Sequence, residues 1–176
     1  MKYPAYLFWL CLLAGINYGV FSNLAFFGAI PNLFLLFVVF SASLKEDLFE
    51  RLFTAFLCGL FADYWNGGFF GGFTLAFLLL CLVLSGLRSA FTLADMDWKY
   101  FILILLLSFV LSGLFVWLYN FAAFRLHWTE YYSGFLGMVQ KWPAEIFYNL
   151  VMLYPVKRFY EFVQKVNHRY FEVKTL

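Results

Sequence analysis

Apolar residues in this chain come in long runs, not in alternation with polar ones, and short charged or glycine-bearing breaks separate the runs. Several runs approach or exceed the ~18–20 residues that carry a helix across ~30 Å of hydrocarbon. A membrane β-barrel would need period-two alternation, which these segments lack. The breaks predict six helices: Pro4 to Leu24, a second containing Leu33 to Leu44, Phe49 to Trp65, Phe69 to Leu87, Tyr100 to Ala122, and Pro143 to about Tyr154, ending before Pro155. The second is short if it opens at Pro31-Asn32, where proline suits a first helical turn. Either it starts near Ser22-Asn23 and bends at Pro31, or tilted neighbours cover it. Residues 1–155 thus read as one six-helix transmembrane domain.

The pattern changes after Pro155. Val156, Phe159, Val163, Val166, Tyr170 and Val173 recur at spacings of three and four, while Lys157, Glu161, Lys165 and Arg169 take other faces. Glu161 and Lys165 form a favourable i,i+4 pair. Residues 156–176 read as a cytoplasmic amphipathic helix, lying on the inner membrane surface or docking a cytoplasmic partner.

Composition supports the membrane reading. Of 176 residues 65% are hydrophobic and 12% charged, against about half and about a quarter in soluble domains. The first helix has no small-x-small cleavage site, so it should be retained. A net charge of +2 is too small to point to nucleic acid, but its distribution sets an orientation. With the N-terminus cytoplasmic, Lys2, Lys45, Arg51, Arg88, Lys99, Lys157, Arg158, Lys165, Arg169 and Lys174 lie inside, and only Arg125 and Lys141 outside. Ten against two is a strong positive-inside bias.

Candidate chemistry is sparse. Cys11, Cys58 and Cys81 sit in apolar runs without C-x-x-C or histidine pairing and read as small core residues. His127 and His168 fall on opposite sides of the membrane. Asp95 and Asp97 form a D-x-D in an inner loop, where solvated acids are ordinary, and Thr92 to Asp95 has capping-box spacing. No nucleophile elbow, HExxH or P-loop is present, so no catalytic residue, metal site or cofactor is expected. Gly15 and Gly19 make a GxxxG that would let helix backbones approach closely, with Asn17 between them suited to bond a neighbouring helix. Ser108 and Ser112 lie one turn apart. Trp128, Tyr131, Tyr132 and Trp142 suit an interfacial belt.

The exception is GLFADYWNGGFFGG, residues 59–72, the tip of an outward-facing hairpin with Asp63 at the end of one arm and five glycines around it. One role for Asp63 is a binding or coupling carboxylate, since ionisable groups in membrane helices face a cavity or a partner. The other is a cap, accepting backbone N–H groups from the Asn66-Gly67-Gly68 turn or from the start of the fourth helix. Its position ~21 Å from the helix start at Phe49 favours the second. Gly67/Gly71 and Gly68/Gly72 add GxxxG spacing.

Pro31-Asn32 opening an apolar helix, then Phe56-Leu57-Cys58-Gly59-Leu60-Phe61-Ala62-Asp63 before a glycine-bearing turn, then Asn149 followed by Pro155, resembles the rod shape-determining protein MreD family. Pro31, Asn32, Gly59, Asp63, Asn149 and Pro155 match its pattern, none of them catalytic. The resemblance implies the fold of energy-coupling-factor transporter substrate-binding subunits. It also implies a non-enzymatic scaffold of the bacterial cell-elongation complex in the inner membrane. The implied partners are MreC and, through the complex, RodA, a class B penicillin-binding protein and MreB. The 26 phenylalanines and the charged tail depart from it. The alternative is a small-molecule uptake subunit of the vitamin-transporter type, with Asp63 or Asn17 lining a pocket, although the first helix lacks the Ala-x-x-x-Ala those subunits use for docking.

Overall fold

A computed structural model describes residues 3–21, 23, 25, 29–44, 47–66, 70–90, 98–128 and 135–167. Lys2, Lys45, Gly67, Gly68, Thr92, Asp95, Asp97, Tyr131, Tyr132, His168, Arg169, Tyr170, Val173 and Lys174, all singled out from the sequence, lie outside them. The architecture is all-α, as the apolar runs predicted. Helix α1 spans Tyr3–Ala14 and continues as a π-helical segment, Gly15–Val20. It is followed by α2 (Leu33–Leu44), α3 (Leu48–Asn66), α4 (Gly72–Ala90), α5 (Trp98–Arg125), the short α6 (Phe135–Val139) and α7 (Trp142–Asn167).

The shortest apolar run is the axis of the molecule. Every residue of α2 from Leu33 to Ser43 is buried, and the helix contacts α3, α4, α5 and α7. A helix apolar on all sides has no face to give to water, and at 12 residues, ~18 Å, this one fits inside a ring of longer helices. Of the two placements open to it, α2 is thus the short, covered one. Its phenylalanines meet the ring in turn: Phe34 stacks on Phe61 at 6.1 Å, Phe37 meets Tyr160 edge-on at 5.1 Å, and Phe40 stacks on Phe101 at 5.1 Å.

Successive long helices alternate in direction. Asp63 near the end of α3 meets Phe73 and Thr74 at the start of α4, while Arg51 at the start of α3 donates from Nη1 to Ser85 Oγ near the end of α4, at 2.9 Å. Ser85 in turn donates to the Cys81 carbonyl. The hydroxyl therefore accepts from a cation and passes its proton on, which lets Arg51 be buried in an apolar bundle. Among described cations, Arg51, Lys157, Arg158 and Lys165 lie towards one end, and Arg125 and Lys141 towards the other.

Two corrections concern α7. The helix was expected to stop before Pro155, but it runs through it for 26 residues. Proline removes one backbone donor, from the carbonyl of Val151; both residues lie on the exposed side, and prolines within helices are a feature of membrane segments. As far as Asn167, the stretch beyond it is no separate surface element. Val156 and Tyr160 are buried in the same core, Val163 is buried as well, and Phe159 packs on Trp9 and Phe37. Glu161 pairs with Lys157 and Arg158, at 3.9 and 3.6 Å, instead of with Lys165.

Among the described residues one helix, over Phe101–Arg125, is long and apolar enough by itself to cross a membrane, and only 22% of its most apolar window is buried. Leu7–Val20, Leu33–Leu44 and Gly72–Leu87 are shorter apolar stretches. The GxxxG of α1 makes no close backbone contact: a Cβ added at Gly15 or Gly19 would meet nothing within 4 Å.

Candidate functional site

Five of the six residues that carry the family resemblance fall at two helix junctions. Helical period puts Gly59 and Asp63 one turn apart on the same face of α3, and that face meets α4. A Cβ on Gly59 would lie 2.3 Å from Thr74 Cα, so only glycine permits this crossing. One turn further, Asp63 Oδ1 accepts the Phe73 N–H at 2.8 Å. Its Oδ2 accepts the Thr74 N–H at 3.0 Å and the Thr74 hydroxyl at 2.6 Å. These are donors of the first turn of α4, which have no partner inside their own helix, and a carboxylate there also favours the helix dipole. Asp63 is therefore a cap delivered from a neighbouring helix, at the start of the fourth helix of the sequence reading. Thr74, which sequence reasoning passed over, supplies the third bond; its only sequence signal is a lone hydroxyl at the start of an apolar arm.

The same end is tied on its other sides. Gly71 has a left-handed φ of 104°. A Cβ on it or on Gly72 would press on Tyr119 of α5 at 3.0 Å, and the Tyr119 hydroxyl donates to the Phe70 carbonyl at 2.9 Å. Asn66 Nδ2 donates to the Ala62 carbonyl and to the Tyr18 hydroxyl of α1.

The second junction joins α2 to α7. Asn32 is the N-cap of α2, its Oδ1 accepting the Leu35 N–H at 3.0 Å. Pro31 precedes the cap, a correction to its expected place in the first turn. The Asn32 N–H, the next orphan donor, goes to Asn149 Oδ1 of α7 at 2.8 Å. Asn149 is buried, and its Nδ2 has no partner among the described residues. Pro155 is exposed and joins neither junction.

Between the junctions lies a cavity of about 180 Å³, lined by residues of the π-helical segment, of the turn before α2, and of α3, α4, α5 and α7. Asn17, Asn32, Ser112 and Glu145 give it polar walls, and Tyr18, Phe73, Phe109 and Trp142 aromatic ones. Asn17, expected to bond a neighbouring helix, is 2% exposed, and its Oδ1 has no partner among the described residues. Ser108 and Ser112 are both buried; Ser112 donates to the Phe109 carbonyl of its own helix at 3.0 Å. Asp63 does not line the cavity.

Both carboxylate oxygens of Asp63 are engaged by the start of α4. Among the described residues no three His, Cys, Asp or Glu side chains are grouped to hold a metal ion. No family model, curated protein or solved structure matches the chain.

Proposed function

We propose that this chain is a multi-span scaffold of the bacterial inner membrane, of the MreD kind, with both termini cytoplasmic, that helps direct lateral wall synthesis in the cell-elongation complex. Its partner would be MreC, with RodA, a class B penicillin-binding protein and MreB reached through the assembly. The observation that carries this reading is the use made of Asn32, Gly59, Asp63 and Asn149. These four residues hold helices together, by hydrogen bonds and by close backbone contact. The outer surface supports a membrane setting. Leu103, Leu107 and Leu118 of α5 and Phe147, Val151 and Tyr154 of α7 are exposed, an apolar girdle that suits lipid and partner helices.

Depletion in the source bacterium tests this: rod shape should be lost while vitamin uptake stays normal, and the tagged full chain should co-purify an MreC-like protein. A second reading, a small-molecule uptake subunit, draws on the cavity beside Asn17. Vitamin auxotrophy with normal cell shape would select it and sink the scaffold.

A further inference from the structure

The cavity between the junctions has a chemistry of its own. Asn17 contributes a buried amide oxygen with no partner among the described residues. Ser112 has its proton committed to the Phe109 carbonyl, so its hydroxyl faces the cavity as an acceptor. Glu145, half-buried, adds a carboxylate, and among the described residues no lysine, arginine or histidine lines the space. Of the helix N-termini on its border, α2 is capped by Asn32 and Asn149 and α4 by Asp63, while α7 opens there with the acidic Glu145 in its first turn. An anion would meet that carboxylate instead of an open helix start. Asn17, Ser112 and Glu145 thus bring acceptors together at the cavity, a set that suits a cation carrying N–H donors.

We propose that this cavity binds a primary ammonium group borne on a short polar stem. Its volume of about 180 Å³, several times the ~30 Å³ share of one water, is ample for an aminoethyl head. The ammonium would sit between Glu145, Asn17 and Ser112. The Asn32 amide NH2, whose oxygen is taken by Leu35, is left to bond an oxygen on the stem. Two sources carry this group: a free small amine, or the headgroup of an aminoethyl phospholipid entering from the bilayer. The site is independent of the scaffold role.

The test uses the full chain purified in maltoside and phosphate, free of amine buffers. Titration calorimetry with ethanolamine probes the free amine, with N-acetylethanolamine as the uncharged control. Native mass spectrometry after incubation with phosphatidylethanolamine or phosphatidylglycerol probes the lipid. One-to-one binding of ethanolamine, or retention of one phosphatidylethanolamine over phosphatidylglycerol, is expected, and the arm that responds names the source. Glu145→Gln should weaken that binding at least ten-fold and Asn17→Leu abolish it, while Leu118→Ala on the exposed face of α5 leaves it unchanged. Should Asn17→Leu fail to fold by circular dichroism, Glu145→Gln, at a half-exposed position, decides. No saturable binding in either arm, equal binding of the uncharged or anionic control, or unchanged affinity in Glu145→Gln would overturn the proposal.

Discussion

At the scale of the residue, one carboxylate and one glycine set the α3–α4 crossing. Asp63→Ala removes an ionised acceptor of three hydrogen bonds and leaves two backbone donors unpaired. With charged hydrogen bonds at ~1.5–3 kcal/mol and caps at ~0.5–2 kcal/mol, the loss should be about 2–4 kcal/mol. Asp63→Asn, which keeps an acceptor but not the charge, should lose about half of that. Gly59→Ala puts a methyl inside van der Waals contact with the Thr74 backbone and should cost about 1–3 kcal/mol by overpacking. Because both act on one crossing, the double variant should be less unstable than the sum. Denaturant unfolding in micelles measures all four chains, and wild-type stability in Asp63→Ala would end the cap reading. The acid was legible in the sequence because a charge in an apolar run is costly. Thr74, Tyr119 and the Asn32–Asn149 bond were not, since each is fixed by a partner far along the chain and neither partner is unusual in its own run.

At the scale of the element, apolar runs located the helices to within a few residues, and the failures have physical causes. Short α2 looked deficient in sequence because a membrane span is judged by length, whereas a helix ringed by others needs only to be apolar on every side. Pro155 looked like a stop because proline lacks one donor; α7 continues because packing of Phe159 on Trp9 and Phe37 and of Tyr160 on Phe37 and Phe40 outweighs a loss of ~3 kcal/mol. A quieter stop was missed at the end of α5. His127 adopts a left-handed φ of 58°, its N–H bonds the Phe124 carbonyl, and the Trp128 N–H bonds the Ala123 carbonyl, a Schellman ending that normally calls for glycine. His127→Gly should raise stability by about 0.5–1 kcal/mol by relieving that backbone strain, and His127→Val should lower it. Thermal melts of both variants against wild type read the sign. A destabilised glycine variant would mean that the His127 side chain holds something the backbone does not.

At the scale of the whole molecule, direction follows from pairing. The contacts of α3 with α4, of α4 with α5 at Tyr119, and of α2 with α7 all place Asn66, Gly71 and Asn149 towards the end opposite Arg51 and Lys165. Charge counting in the sequence assigned the first end outside and the second inside, so geometry and charge divide the molecule in the same way. Reagent access tests that division in a membrane. Cys58 and Cys81 are buried and Cys11 is exposed, so Cys11→Ser gives a background in which an introduced thiol is the reactive one. With Asn66→Cys, whose side chain sits at the exposed tip of α3, a membrane-impermeant maleimide should label intact spheroplasts. With Lys165→Cys it should label only after permeabilisation. Labelling of Asn66→Cys solely from the cytoplasmic side would invert the protein, and labelling of both from outside would require an even number of spans between them.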